Sequence, residues 1–483
     1  MAHTHATKWQ RGMDCKRLLT RGRRRGGLGI LVLAGLLLLP AGAVAQEAGD
    51  LDTSFGVGGK VITDFSGGND EAQAVALQPD GKIVVAGNTT SNPATGLVEF
   101  AVARYLPDGT LDTTFGDDGL VTTGFGVIFG LAQAVAVQPD GKIVAAGYIV
   151  DPPTGVSARA LARYLPDGTL DTTFSGDGKL TTDQAGQVFA ILLQPDGKIV
   201  AAGGLVLARY HPDGTLDTTF GDDGQVTVDF GEILAAALQP DGKIVAAGPV
   251  FNSSAGQYEF ALARYLPDGT LDSTFDGDGR VTTDVGGSGF ARAVALQADG
   301  KIVAAGSIAF DVAPFHVDFA LARYLPDGTL DTTFGGDGLV TTDFGGILSE
   351  AFDVALQPDG KIVAAGYAFF SVFALARYLP DGTLDTTFGG DGLVTTAFGA
   401  AGAAKGLVIQ PQDGRLVAVG SSSATIGEGS LDFALARYES GLVLGVGPPT
   451  NKEECKHDGW RNFNVPRDFK NQGDCIQFVN TGK

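Results

Sequence analysis

Basic charge, histidine and cysteine are all scarce in this chain of 483 residues. Lys and Arg number 34 against 55 Asp and Glu, for a net charge of −21. The first 45 residues hold eight Lys/Arg and one acid, so the remainder carries −28. No basic stripe is left to neutralise phosphates, which excludes nucleic acid and docking on an anionic membrane surface. Five histidines occur, and beyond residue 45 only His211, His316 and His457 remain. Neither His-x-x-x-His nor Cys-x-x-Cys spacing is present, which removes the common zinc ligand sets. A Gly-x-Ser-x-Gly elbow with partners and a phosphate loop are also missing. Past the first 45 residues no apolar run reaches membrane-spanning length, and the apolar residues lack the 3.6-residue period of helical repeats. Glycine is plentiful, at 72 residues, without collagen periodicity, and apolar residues make up 44%. That balance describes a chain with a real core and many tight turns.

The start reads as a targeting segment. Arg21, Arg23, Arg24 and Arg25 precede an apolar run from Leu28 to Leu39, and Ala43-Val44-Ala45 stands before the polar Gln46. A basic region, a short apolar core and Ala-x-Ala predict a secretory signal cut after Ala45. The protein is therefore expected to be secreted, extracellular or at the cell surface, with no transmembrane segment in the mature chain. Cys15 leaves with the signal, and the remaining pair, Cys455 and Cys475, predicts one disulfide in the exported tail.

Three markers recur seven times in the same order. Leu-Asp-x-x-Phe begins at Leu51, Leu111, Leu170, Leu216, Leu271, Leu330 and Leu384. Gln-Pro-Asp-Gly-Lys or a near variant begins at Gln78, Gln138, Gln194, Gln239, Gln297, Gln357 and Gln410. Ala-Arg-Tyr places its arginine at 104, 163, 209, 264, 323, 377 and 437. Each unit contains four short runs rich in Val, Ile, Thr and Phe, bounded by Gly, Pro and Asp; these are read as strands A to D. In the sixth unit they are expected at 339–344, 351–357, 361–367 and 373–379. Pro358-Asp359-Gly360 between B and C has the chemistry of a tight turn. Four antiparallel strands per unit predict an all-β, seven-bladed β-propeller of four-stranded blades. The domains are then a signal peptide over 1–45, the propeller over 46–446 and a small disulfide-linked tail over 447–483.

The units Leu-Asp-Thr-Thr-Phe-Gly-x-Asp-Gly-x-Val-Thr-Thr, Ala-Leu-Gln-Pro-Asp-Gly-Lys-Ile-Val-Ala-Ala-Gly and Ala-Leu-Ala-Arg-Tyr-x-Pro-Asp-Gly resemble the delta-60 repeat family of bacterial secreted proteins over about residues 51–438. The resemblance implies a β-propeller fold and attaches no general enzymatic activity. The tail, with Cys455-Lys456-His457-Asp458-Gly459-Trp460 and Asp474-Cys475-Ile476, is similar in part to a short cap at the ends of varied bacterial exported proteins.

The Asp of Leu-Asp-x-x-Phe and the Arg of Ala-Arg-Tyr each recur in every unit. An arginine in an apolar strand needs a fixed partner, so the two are expected to pair within or between units. If the partner lies in the next unit, Arg437 must meet Asp52 to close the ring. Leu-Asp-x-x-Phe-Gly itself reads as one helical turn capped by its Asp. Asp112, Asp117 and Asp118 could also be read as structural Ca²⁺ ligands, but Asp-Gly turns explain them, and no cofactor is expected.

The B–C and D–A connections are nearly identical throughout, whereas C–D and A–B vary. Alternating strand directions put the varied pair on one face, and that face is the candidate site. Its aromatic residues Tyr148, Phe251, Tyr258, Phe310, Phe315 and Phe369 are the candidate ligand contacts. Non-repeated acids (Glu99, Asp151, Glu232, Glu259, Asp311, Asp318, Glu350, Asp353) are the only catalytic candidates, and none stands out. The expected function is a monomeric, non-enzymatic module binding protein or polysaccharide through the varied face. A propeller polysaccharide hydrolase or lyase, and a structural envelope protein without a discrete ligand, are the alternatives.

Overall fold

The computed structural model describes residues 46–442 apart from Ser66, 152–154, 311–314, Phe370 and 424–429. The proposed signal segment and the tail with Cys455 and Cys475 lie outside the described residues, so no disulfide is seen. Among the described residues there are twenty-eight strands, and no helix is long and apolar enough to cross a membrane. In the sixth repeat the strands run Leu339–Thr342, Ser349–Leu356, Ile362–Ala368 and Val372–Tyr378.

Two expectations about the sheets are corrected. The first concerns which strands share a sheet. Ala235–Leu238, Ile244–Asn252 and Gln257–Tyr265 are B, C and D of one repeat, and the fourth strand of their sheet, Arg280–Thr283, is A of the next. The D–A turn causes this. Leu266 N–H donates to Thr270 O at 2.7 Å and Tyr265 bridges Leu271, which lays A antiparallel beside the D it has just left. The chain then crosses to a new sheet between A and B. Consequently the first A strand, Lys60–Thr63, pairs with the last D strand, Leu431–Tyr438, in the register Lys60↔Ala436 to Thr63↔Phe433. Leu-Asp-x-x-Phe is a turn rather than a helical turn. Asp112 Oδ1 accepts from Thr114 N–H at 3.1 Å and from its hydroxyl at 2.7 Å.

The second correction concerns the blades. The structure does not contain seven equal four-stranded blades: five sheets are separate four-stranded blades, and B, C and D of the first repeat, all four strands of the second and A of the third form one eight-stranded sheet. D of the first repeat, Leu97–Tyr105, is nine residues long, whereas its A partner, Leu120–Thr123, covers only Phe100–Ala103. Its uncovered start takes a new neighbour. Val98 pairs in parallel with Phe129, its N–H donating to Ile128 O at 2.8 Å. A parallel bridge of the same kind joins Val317 to Leu348, with Val317 N–H donating to Ile347 O at 3.0 Å.

C and D are buried on both faces because each sheet packs between two others. Val245, Ala247, Phe260 and Leu262, for example, lie against Ile302, Ala304, Ala320 and Ala322. At the end of C a glycine is required. A Cβ on Gly366 would stand 1.8 Å from Glu350 O, and one on Gly420 1.8 Å from Ala403 O. Gly366→Ala is therefore expected to cost about 1–3 kcal/mol by forcing the B strand outward. A denaturant melt against Gly345→Ala, which has open space but φ +83°, separates this crowding from backbone strain.

The repeated arginines pair with the aspartates of the next unit. Arg104 Nε donates to Asp112 Oδ2 at 2.7 Å, and the same geometry holds Arg163 to Asp171 and Arg264 to Asp272. Each guanidinium also stacks on a Phe, Arg264 on Phe275 at 4.7 Å, and Arg209 reaches Pro267 O at 2.6 Å in the next D–A turn. At the seam Arg437 Nε donates to Asp52 Oδ2 at 2.7 Å, so the ring closes as the next-unit version requires.

Candidate functional site

B strands line a common opening, and six of the seven are the edge strand of their sheet. Five of them carry a β-bulge, between Ala72 and Ala74, Ala132 and Ala134, Ala291 and Ala293, Ala351 and Asp353, and Ala404 and Gly406. A bulge frees one residue from the ladder and re-aims its side chain. The freed residues are Gln73, Gln133, Arg292, Phe352 and Lys405. All five line one cavity of about 390 Å³. Phe189 and Leu234 complete its wall from the third and fourth repeats. Each B strand runs from the varied face to the repeated Gln-Pro-Asp-Gly turn, and the lining residues stand midway along it, inside the channel.

The charged part of the wall spans repeats five to seven. Arg292 Nη2 lies 3.0 Å from Glu350 Oε2, and its guanidinium sits 5.1 Å from the Phe352 ring centre. Lys405 Nζ lies 3.3 Å from the same ring centre, and Phe352 stacks on Tyr367 at 5.7 Å. Burial, helped by the Arg292 charge, pulls the Lys405 amine down to about 8, with Glu350 and Glu71 opposing. Among the described residues no carboxylate lies within ion-pair distance of Lys405. Burial likewise pushes Asp353 up to about 6. Both its oxygens are engaged, Oδ1 by Val354 N–H at 2.8 Å and Oδ2 by Leu407 N–H at 2.7 Å. The arrangement thus offers an aromatic plate, two side-chain amides and one cation without a partner acid.

The six aromatic residues expected at the site do not form one cluster. Phe251 and Tyr258 face each other across a C–D hairpin at 5.2 Å, and Tyr258 reaches Phe290 at 4.8 Å. Phe310 stacks on His316 at 4.4 Å; Phe315 is exposed on the same hairpin and Phe369 on a further one. Tyr148 is half-buried on C of the second repeat, its hydroxyl raised by burial and by Glu71. Of the non-repeated acids, Glu350 and Asp353 lie at the channel. Arg292, Phe352 and Lys405 escaped sequence reasoning. Their signal is a column: five positions before each repeated Gln stand Gln73, Gln133, Phe189 and Leu234, then Arg292, Phe352 and Lys405, varied residues among conserved-sized Ala, Val and Leu. The larger cavity of about 690 Å³ on the opposite face is walled by repeated residues such as Gln297, Lys301, Arg323 and Pro380, and so reports the repeat rather than an individual site.

Seven segments, 78–115, 138–174, 194–220, 239–275, 297–334, 357–388 and 412–442, match the family described as "Domain of unknown function (DUF5122) beta-propeller". No curated protein matches the sequence. Among solved structures, a protein of unknown function from Dyadobacter fermentans is 13% identical, with a TM-score of 0.42, over 79% of this chain and 97% of that one. The GH93 α-L-arabinofuranosidase of Fusarium graminearum in complex with arabinobiose is 8% identical, with a TM-score of 0.43, over 78% and 97%. The propeller domain of the trilobed protease from Pyrococcus furiosus is 11% identical, with a TM-score of 0.39, over 78% and 94%. Such distant likenesses transfer no activity or ligand. The sheets and the seven matched segments together make this chain a member of the β-propeller repeat proteins.

Proposed function

We propose that the chain is an exported, monomeric, non-enzymatic module that binds an acidic polysaccharide in the channel lined by its B strands, entered from its varied face. The observation that carries this reading is Lys405, a largely buried ammonium laid on Phe352 with no partner acid. A ligand carboxylate would supply the missing charge, Phe352 and Tyr367 a stacking surface for a sugar ring, and Gln73 and Gln133 hydrogen bonds to hydroxyls. Asp353, held at about 6, is the observation that favours a hydrolytic reading instead. Its two oxygens are already spent on backbone N–H groups and Glu350 on Arg292, which leaves no acid and base pair ready there.

Titration calorimetry of the full chain with oligogalacturonate and with neutral galacto-oligosaccharide tests the reading. The acidic ligand should bind, the neutral one at least tenfold more weakly, and Lys405→Met should cost the acidic ligand about tenfold, or 1.4 kcal/mol. Equal binding of both ligands, or full binding by Lys405→Met, would refute it. Release of new reducing ends would move the protein to the hydrolytic class.

A further inference from the structure

We propose that Asp64, Asp70 and Asp432 hold a Ca²⁺ ion that pins the first B strand to the sheet closing the ring. One carboxylate oxygen from each lies within 4.8 Å of the others. That is roughly twice a Ca–O distance, the spacing ligands take around one such ion. The three residues come from opposite ends of the chain. Asp64 follows the first A strand, Asp70 opens the first B strand, Asp70–Leu77, and Asp432 lies on the last D strand.

Two buried oxygens point to a ligand independently of the acids' proximity. Asp70 is fully buried; its Oδ2 accepts from Phe65 N–H at 2.7 Å, while Oδ1 has no hydrogen-bond partner. Thr89, opposite Asp70 in the ladder, is also fully buried, and its hydroxyl has no partner. Leaving such groups unsatisfied is costly, and native structures resolve it with an ion, a water or a proton. Asp64 is exposed and Asp432 half-buried, so the place is open to solvent.

Comparison between repeats shows what is special here. The junction of the fifth and sixth repeats places Asp318 beside Asp343, in the positions of Asp432 and Asp64. There the position of Asp70 is Ser349, and elsewhere it is Gly130, Gly289 or Gly402. Two acids recur as repeat chemistry, whereas the third stands at the seam alone. An all-oxygen set with three carboxylates and room for water suits Ca²⁺ better than Mg²⁺, which keeps most of its own water.

The test uses the full chain, CaCl₂ alone as probe, and two readouts: calorimetric titration, and melting in EDTA against millimolar CaCl₂. One Ca²⁺ per chain should bind and raise the melting temperature. Asp70→Asn should weaken binding about tenfold or more. It should also melt at or above the parent in EDTA, because a like charge has gone, and below it in CaCl₂. That reversal distinguishes a ligand from a residue needed only for folding. Asp432→Asn should lose binding too, and Asp343→Asn should keep it. Absence of Ca²⁺ binding, or undiminished binding by both Asp70→Asn and Asp432→Asn, overturns the proposal.

Discussion

Arg437→Met is expected to open the ring at its seam, at a cost of about 3–5 kcal/mol. Arg437 holds Asp52 through Nε at 2.7 Å and Nη2 at 2.6 Å, donates to Pro107 O, and lies 4.6 Å from the Phe55 ring centre. Asp52 is 1% exposed, so removing the guanidinium leaves a buried carboxylate with Arg415, 3.2 Å away, as its remaining cation and Ser54 as its hydrogen-bond donor. Arg264→Met makes the matching change in mid-ring, where Lys243 stays 3.2 Å from Asp272. The two differ in connectivity. In mid-ring, D passes into its A strand through the short turn between Tyr265 and Leu271, whereas at the seam A and D are joined only through the rest of the chain. Once the seam parts, the closure entropy of that long loop works against its return. Arg264→Met should therefore cost less, about 2–3 kcal/mol. Amide exchange is the cleaner measurement, because ring proteins need not unfold in two states. In Arg437→Met, Lys60–Thr63 and 433–436 should exchange fastest; uniform acceleration around the ring would show that no seam exists. Arg437→Lys should not rescue, since an ammonium cannot hold Asp52 and Pro107 O while stacking on Phe55.

Those clamps were legible in the sequence because repetition supplied seven copies of the same argument: a buried arginine in every D strand and an aspartate at every turn. The faces of the ring were legible for the same reason, since strand direction alternates whatever the sheet membership. Membership itself was not. Whether A joins the sheet before or after it depends on the D–A turn geometry, which Pro-Asp-Gly-Thr-Leu-Asp permits in either sense. The merging of the first two repeats depends on Val98 lying beyond the reach of Leu120–Thr123, a difference of a few residues in hairpin length. The channel site stayed hidden for a related reason. In a regular ladder Arg292, Phe352 and Lys405 would alternate with their alanines like any strand residue. A one-residue bulge turns them inward, and the glycine that makes room for it, Gly366 or Gly420, lies on the neighbouring strand. Aromatic side chains on the varied loops were visible by contrast, yet the hairpins hold them on separate rims.

Stability should be greatest near pH 4, below the usual range, and fall steeply beneath pH 3. Two sets of carboxyls act in opposite directions. Asp112, Asp171 and Asp331 are pushed up by burial, but the threonine two residues on and the facing Lys and Arg outweigh it and hold them at about 2. The same contacts hold Asp217 and Asp272 lower still. Against an unfolded value of about 3.9, a depressed carboxyl contributes stability that is complete above that value and lost as pH falls towards 2. Allowing for solvent screening at the turn, each clamp amounts to roughly 1–2 kcal/mol, and several vanish over the same narrow interval. Asp353 works the other way. Raised to about 6, it binds its proton in the folded chain first. Its contribution is therefore complete below about 3.9 and lost as pH rises through 6, a change of about 3 kcal/mol at 1.36 kcal/mol per unit. Melts between pH 7.5 and 2 in EDTA should rise towards pH 4 and then collapse. In Asp353→Asn, which keeps an oxygen for one backbone N–H, the rise between pH 7 and 5 should shrink while the acid collapse stays where it was. A parent protein whose stability falls steadily from pH 7 to 4 would mean that the buried Asp353 is charged throughout and that its two N–H donors outweigh its burial.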